Sequence, residues 1–202
     1  MRLKLNLSVL LPAVLLLSMA SVNLAHAQAV PTASANLRLS AFAGVSANYT
    51  GVELAKNGDV VAGVDIGFRP FAGFFPALEA RGMYPIDKGH VVAQKNALVG
   101  IRLGRHKENF NPYGDVLFGR GKLDFANGVP NPAGTFLVLS NTTNVLSFGG
   151  GLDYNLSPHF AAKGDFQFQK YNTPVSASGS VYSKVFTVGI VYRIGIGGFP
   201  KR

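Results

Sequence analysis

The sequence predicts an all-β fold, an eight-stranded antiparallel up-and-down transmembrane β-barrel, and three observations carry that reading. Long stretches alternate between apolar residues and small or polar ones, with the charges confined to one face. There are eight such stretches, an even number, so an up-and-down sheet of them closes with both ends of the chain on one side. The connections alternate between short turns and longer polar loops in step with strand parity.

The chain opens with a leader. Arg2 and Lys4 form a basic start, residues 7–17 an apolar run, and Ala25-His26-Ala27 an A-x-A motif ahead of Gln28. This is the pattern of a secretory signal peptide. A membrane helix does not fit, because the run is too short for a core about 30 Å thick and Pro12 interrupts it. The expected organisation is a signal peptide at 1–27 and one barrel domain at 28–202. Without Arg2 and Lys4, 17 basic residues face 10 acidic ones, a net charge of +7. The basic residues are spread singly along an exported chain, so no nucleic-acid partner is expected. Attraction to anionic lipid headgroups is the natural consequence. Cysteine is absent, so the sheet itself must hold the fold. No mature segment approaches the roughly 18 consecutive apolar residues of a transmembrane helix.

The first strand covers 37–49. Leu37, Leu39, Ala41, Ala43, Val45, Ala47 and Tyr49 face Arg38, Ser40, Phe42, Gly44, Ser46 and Asn48 across it. It exceeds the roughly 5–6 residues of an ordinary strand and suits the roughly 9–11 of a tilted membrane strand. After a loop ending at Asn57-Gly58, Val60, Ala62, Val64, Ile66 and Phe68 point outward, with Val61, Gly63, Asp65, Gly67 and Arg69 inward. A turn at 70–73 leads to Leu78, Ala80, Gly82 and Tyr84, set against Glu79, Arg81 and Met83. The fourth strand sets Ala97, Val99, Ile101 and Leu103 against Leu98, Gly100, Arg102 and Gly104, and a charged turn at 105–109 follows. The fifth spans 110–121, with Val116 and Phe118 outside and Tyr113, Asp115 and Leu117 inside. Residues 122–144, rich in Asn, Pro, Gly and Thr, read as the longest connection, with 135–140 able to extend a strand beyond the membrane.

The clearest hairpin lies at 147–168. Phe148, Gly150, Leu152 and Tyr154 oppose Ser147, Gly149, Gly151, Asp153 and Asn155. After a turn at Ser157-Pro158, where Pro has no N–H for a ladder, Ala162, Gly164, Phe166 and Phe168 oppose Lys163, Asp165, Gln167 and Gln169. A polar loop at 172–180 precedes the last strand, which sets Phe186, Val188, Ile190, Tyr192 and Ile194 against Val185, Thr187, Gly189, Val191 and Arg193. Aromatics gather near both strand ends, as at the two head-group levels of a bilayer. A soluble lipocalin-like lipid carrier is the competing eight-stranded architecture. Glycines on the charged face, strand length, loop asymmetry and the terminal strand favour the membrane barrel.

The hairpin GGGLDYNLSPHFAAKGDF and the strand YSKVFTVGIVYRIG resemble the outer-membrane protein β-barrel family, the OmpA-like and OmpX-like eight-stranded barrels of Gram-negative bacteria. The resemblance covers roughly residues 28–196. It implies residence in the cell outer membrane among its lipids, as a monomer, with the barrel-assembly machinery as partner during biogenesis. Thr187, Gly189, Tyr192 and Ile194 match the assembly signal of such proteins. Many members end on an aromatic residue, whereas this chain continues from Gly195 to Arg202.

Inward positions collect Arg38, Asp65, Arg69, Glu79, Arg81, Arg102, Asp115, Asp153, Lys163, Asp165 and Arg193, with signs nearly balanced. Eight strands enclose a space that side chains just fill, so a closed polar network is expected there in preference to an ion-conducting lumen. His90, His106 and His159 have no zinc-ligand spacing, and neither metal nor cofactor is expected. Ser157 and His159 are close in sequence but lie in an inner turn, away from an outer-leaflet substrate, so no catalytic constellation emerges. The expected role is structural or surface-interacting without catalysis. Porin-like passage of small solutes is the alternative, and lipid carriage the third.

Overall fold

Alternating stretches are extended, and every extended strand needs partners on both edges. The computed structural model describes residues 38–194; the expected leader at 1–27 and the tail at 195–202 lie outside them. The strands are β1 (Arg38–Tyr49), β2 (Lys56–Gly67), β3 (Phe74–Asp87), β4 (Val92–Arg105), β5 (Phe110–Pro130), β6 (Leu137–Asn155), β7 (Phe160–Asn172) and β8 (Ser180–Ile194). Each pairs antiparallel with its neighbour in sequence, and β8 returns to β1, so the barrel is closed. At that seam Gly44 lies opposite Gly189. A Cβ on Gly44 would stand 2.3 Å from the Val188 carbonyl oxygen, and one on Gly189 would stand 2.4 Å from that of Ala43. Only glycine lets the two backbones approach this closely.

The facing is inside-out relative to a soluble protein. Val45, Val64, Ile101 and Ile190 stand on the outer wall, 44–66% exposed, while Asp65, Glu79, Asn48 and Gln94 are buried inside. A carrier of apolar ligands requires the reverse. Rings pair along the wall at two levels. Phe110 packs on Tyr154 and Phe160 on Tyr192 at the end holding the chain's first and last strand ends; Phe148 packs on Phe168, and Phe168 on Tyr182, toward the other. The end with the first pairs is the inner end. One inner turn is a two-residue hairpin: Phe71 and Phe74 exchange 2.9 Å hydrogen bonds around Ala72 and Gly73, both at positive φ. That is the type I′ geometry that matches strand twist.

The strands run past the limits that alternation suggests. β2 starts at Lys56, so Asn57-Gly58, read as the end of a loop, sits opposite Asn48 and Ala47 in the ladder. The largest difference is at 122–144, where β5 continues to Pro130 and β6 begins at Leu137, leaving only 131–136 as connection. The side chains give the reason. Up to Phe118, β5 carries apolar residues outward and Asp115 inward; from Arg120 on, Arg120, Lys122 and Asp124 point outward while Leu123 and Phe125 are buried inside. β4 inverts at the same level, with Lys95 outside and Val92 inside, and so does β8, with Lys184 outside and Val181 inside. Beyond the apolar band the wall meets water, and ordinary polar-out packing resumes.

The inner connections 68–73, 106–109 and 156–159 are nearly as long as the outer ones at 50–55, 88–91, 131–136 and 173–179. The asymmetry expected of loops resides instead in the prolonged β5–β6 hairpin. Apolar side chains close the outer half of the lumen, among them Leu98, Leu117, Leu123, Val145 and Tyr171. The 50–55 loop folds into the mouth, adding Val52 and Ala55 to this plug. Its Thr50 carbonyl accepts hydrogen bonds from Gln94 Nε2 at 3.0 Å and Ser183 Oγ at 3.1 Å.

Candidate functional site

The charged layer lies inside the barrel, on the inner side of the apolar plug. Strand alternation turns Glu79 and Arg81 of β3, and Lys163 and Asp165 of β7, to the lumen. Register then sets Asp65 beside Glu79, Arg102 beside Asp115, and Asp153 beside Lys163. All eight are buried. Arg81 is the hub of one group: Nη1 donates to Asp165 Oδ1 at 2.8 Å, Nη2 stands 3.4 Å from Asp115 Oδ2, and Nε donates to Glu79 Oε1. Arg102 holds the other, donating from Nη1 to Asp65 Oδ2 at 2.8 Å and from Nη2 to Asp153 Oδ2.

Two aromatic rings tie these groups together. Lys163 Nζ lies 4.6 Å from the Phe42 ring centre and 4.2 Å from that of Tyr113, which the Arg102 guanidinium also covers at 3.6 Å. Such contacts strengthen when desolvated. Tyr113 also donates its hydroxyl to Asp165 Oδ2 at 2.8 Å, and Gln167 Nε2 donates to both Asp115 oxygens at 2.9 Å. Sequence reasoning placed Phe42, Tyr113 and Gln167 on the inward face but gave the network only to charged residues. Their position on the same inward face as the charges is the available signal.

Three expected members are not in the layer. Arg69 follows the end of β2 and is exposed, because the strand stops at Gly67 before alternation returns it to the lumen. Arg38 is exposed at the start of β1, its guanidinium 5.1 Å from the Phe75 ring. Arg193 is half-buried at the inner mouth and donates to Asn155 Oδ1 at 2.6 Å. The near balance of sign expected of the network is thereby lost: five acids share the buried layer with three bases. Neutral donors from Tyr113, Gln167 and Ser40 meet part of the acid excess.

Of the residues assigned to assembly, Thr187 is buried toward the lumen, Gly189 stands at the closing seam, and Tyr192 and Ile194 face outward near the inner end. Ser157 and His159 do not pair. Ser157 Oγ accepts the Phe160 N–H at 3.0 Å, while His159 Nδ1 lies 3.3 Å from the Arg193 carbonyl oxygen. Among the described residues no group of three or more His, Cys, Asp or Glu is set to hold a metal ion.

Neisserial surface protein A is similar in structure, with a TM-score of 0.50 at 12% identity over 78% of this chain and 97% of that one. The fold is that of an eight-stranded outer-membrane β-barrel. A major outer membrane protein from Thermus thermophilus aligns with a TM-score of 0.48 at 14% identity, over 79% of this chain and 100% of that one. The outer membrane enzyme PagL aligns with a TM-score of 0.43 at 11% identity, over 79% and 99%. No protein-family model and no curated protein sequence matches the chain.

Proposed function

We propose that the protein is a sealed, non-catalytic barrel of the cell outer membrane whose work is done on its outer surfaces. One observation carries this reading: the lumen is filled at two successive levels, by the ion-paired layer around Arg81 and Arg102 and by the apolar plug around Leu117. A permanent water path through an eight-stranded barrel would have to cross both. The surface role is supported by the outer hairpin, where Phe136, Leu137 and Leu139 are 57–66% exposed beyond the apolar band. Exposed apolar groups in water are candidates for contact with another molecule. The non-catalytic reading is supported by the separate commitments of Ser157 and His159. Planar-bilayer recording of the refolded protein tests the proposal. Silent insertion is expected; a steady ohmic conductance from inserted protein would replace this reading with a small porin-like channel.

A further inference from the structure

On the outer wall beyond the apolar band, register sets Lys95 of β4 directly opposite Lys122 of β5, and Arg120 follows on the same face. Like charges directly opposed weaken a sheet, so packing gives no reason for this pair. Asp124 offsets it in part, its carboxylate 2.7 Å from Lys122 Nζ and 3.4 Å from Lys95 Nζ. The slight desolvation of Asp124 is outweighed by those lysines, which hold its carboxyl below the usual carboxylate range. Arg120 donates to Asn144 Oδ1 at 2.8 Å and forms no ion pair among the described residues. Two lysines thus share one carboxylate, and Arg120 beside them has none among the described residues.

The wall also opens here. The β3–β4 ladder ends at the Met83–Asn96 pair, and Pro85 just beyond it has no N–H to continue it. The resulting shallow surface pocket, of about 350 Å³ and widely open to the outside, is lined by Tyr84, Lys95, Ala97, Arg120, Lys122 and Thr142. Below it on the same face run Val99, Phe118 and Leu146, half exposed and adjacent in register. The pocket therefore sits where headgroups begin, cations above and an acyl-chain surface beneath.

From this we infer that the opening between β3 and β4, beside β5, binds the phosphate monoester headgroup of a lipid in the adjacent leaflet, with Lys95, Arg120 and Lys122 as its cationic donors. A phosphate monoester offers up to two negative charges and three acceptor oxygens, which suits convergent lysine and arginine donors. The apolar strip below selects a lipid over the free ion. This assignment rests on the membrane reading above.

The test reconstitutes the full mature chain into phosphatidylcholine vesicles carrying minor amounts of phosphatidate and phosphatidylglycerol, then counts co-extracted lipid by native mass spectrometry. Wild type should retain phosphatidate selectively. Arg120→Gln and Lys122→Gln should each lower retention about fivefold, the scale of one basic residue at an anionic surface. Lys170→Gln and Lys184→Gln, on the far wall, should leave it unchanged. Asp124→Asn should raise retention, an effect that poor folding cannot mimic. Equal retention of all three lipids by inserted protein, an equal loss in the far-wall variants, or complete displacement by inorganic phosphate would each overturn the site. Failure of wild type to insert would instead refute the membrane reading, and the site with it.

Discussion

Replacing Arg81 by Ala removes the one cation shared by Glu79, Asp115 and Asp165. Its side chain is 3% exposed and those of Glu79 and Asp115 are 0% exposed, so water does not take its place without opening the barrel. The other two cations are already engaged, Arg102 by Asp65 and Asp153, and Lys163 by Asp153 and two rings. Breaking a buried ion pair from one side costs about 3–5 kcal/mol, most of it the penalty of the abandoned charges. Arg81→Ala should therefore lose that much stability in urea titrations of the folded barrel in detergent. Far-UV circular dichroism is the suitable signal, since the chain has no tryptophan. Neutralising the partners as well, in Arg81→Met with Glu79→Gln, Asp115→Asn and Asp165→Asn, should recover much of the loss. An Arg81→Ala protein within about 0.5 kcal/mol of wild type, the scale of an ordinary surface change, would refute the assignment of Arg81 as the hub.

Other changes follow from the same geometry. Val64→Arg, on the outer wall, should cost about 2–4 kcal/mol in vesicles if Val64 lies near mid-bilayer, and an unchanged unfolding midpoint would place that wall in water. Gly189→Ala pushes a methyl group into the β1–β8 seam and should cost about 1–3 kcal/mol. If Thr187, Gly189, Tyr192 and Ile194 also form the assembly signal, Gly189→Asp or Tyr192→Asp should lower the heat-modifiable outer-membrane population in cells, while deleting residues 198–202 is mild; normal assembly of both variants would remove that role. Asp59 is fully buried, and neither carboxylate oxygen has a hydrogen-bond partner among the described residues. Asp59→Asn should accordingly stabilise the barrel by about 1 kcal/mol or more at neutral pH, and a lower urea midpoint would contradict this.

The strands that cross the apolar band were legible because two solvents act on their two faces. Val116 and Phe118 against Asp115, or Phe166 against Asp165, follow the same rule across the whole band. Above the band the rule changes sign while the strand continues, which is why Lys122 to Phe125 read as a connection. Alternation persists there, but its apolar members Leu123 and Phe125 point inward. The charged layer was legible by parity alone, which counts residues without knowing where a strand stops. That suffices for Asp65 and fails four residues later at Arg69. The plug from the 50–55 loop has no periodic signal, because Val52 and Ala55 reach the core through a folded loop.

The closed lumen is tested most directly at Leu117, fully buried in the plug, against Leu137, which is 63% exposed on the outer hairpin. Single Leu117→Cys and Leu137→Cys variants, in a chain with no native cysteine, are folded into vesicles and treated with a membrane-impermeant maleimide. Leu137→Cys should label at once, and Leu117→Cys only after unfolding in urea. Labelling of both at similar rates in the folded state would mean that water reaches the middle of the barrel, contradicting the sealed lumen.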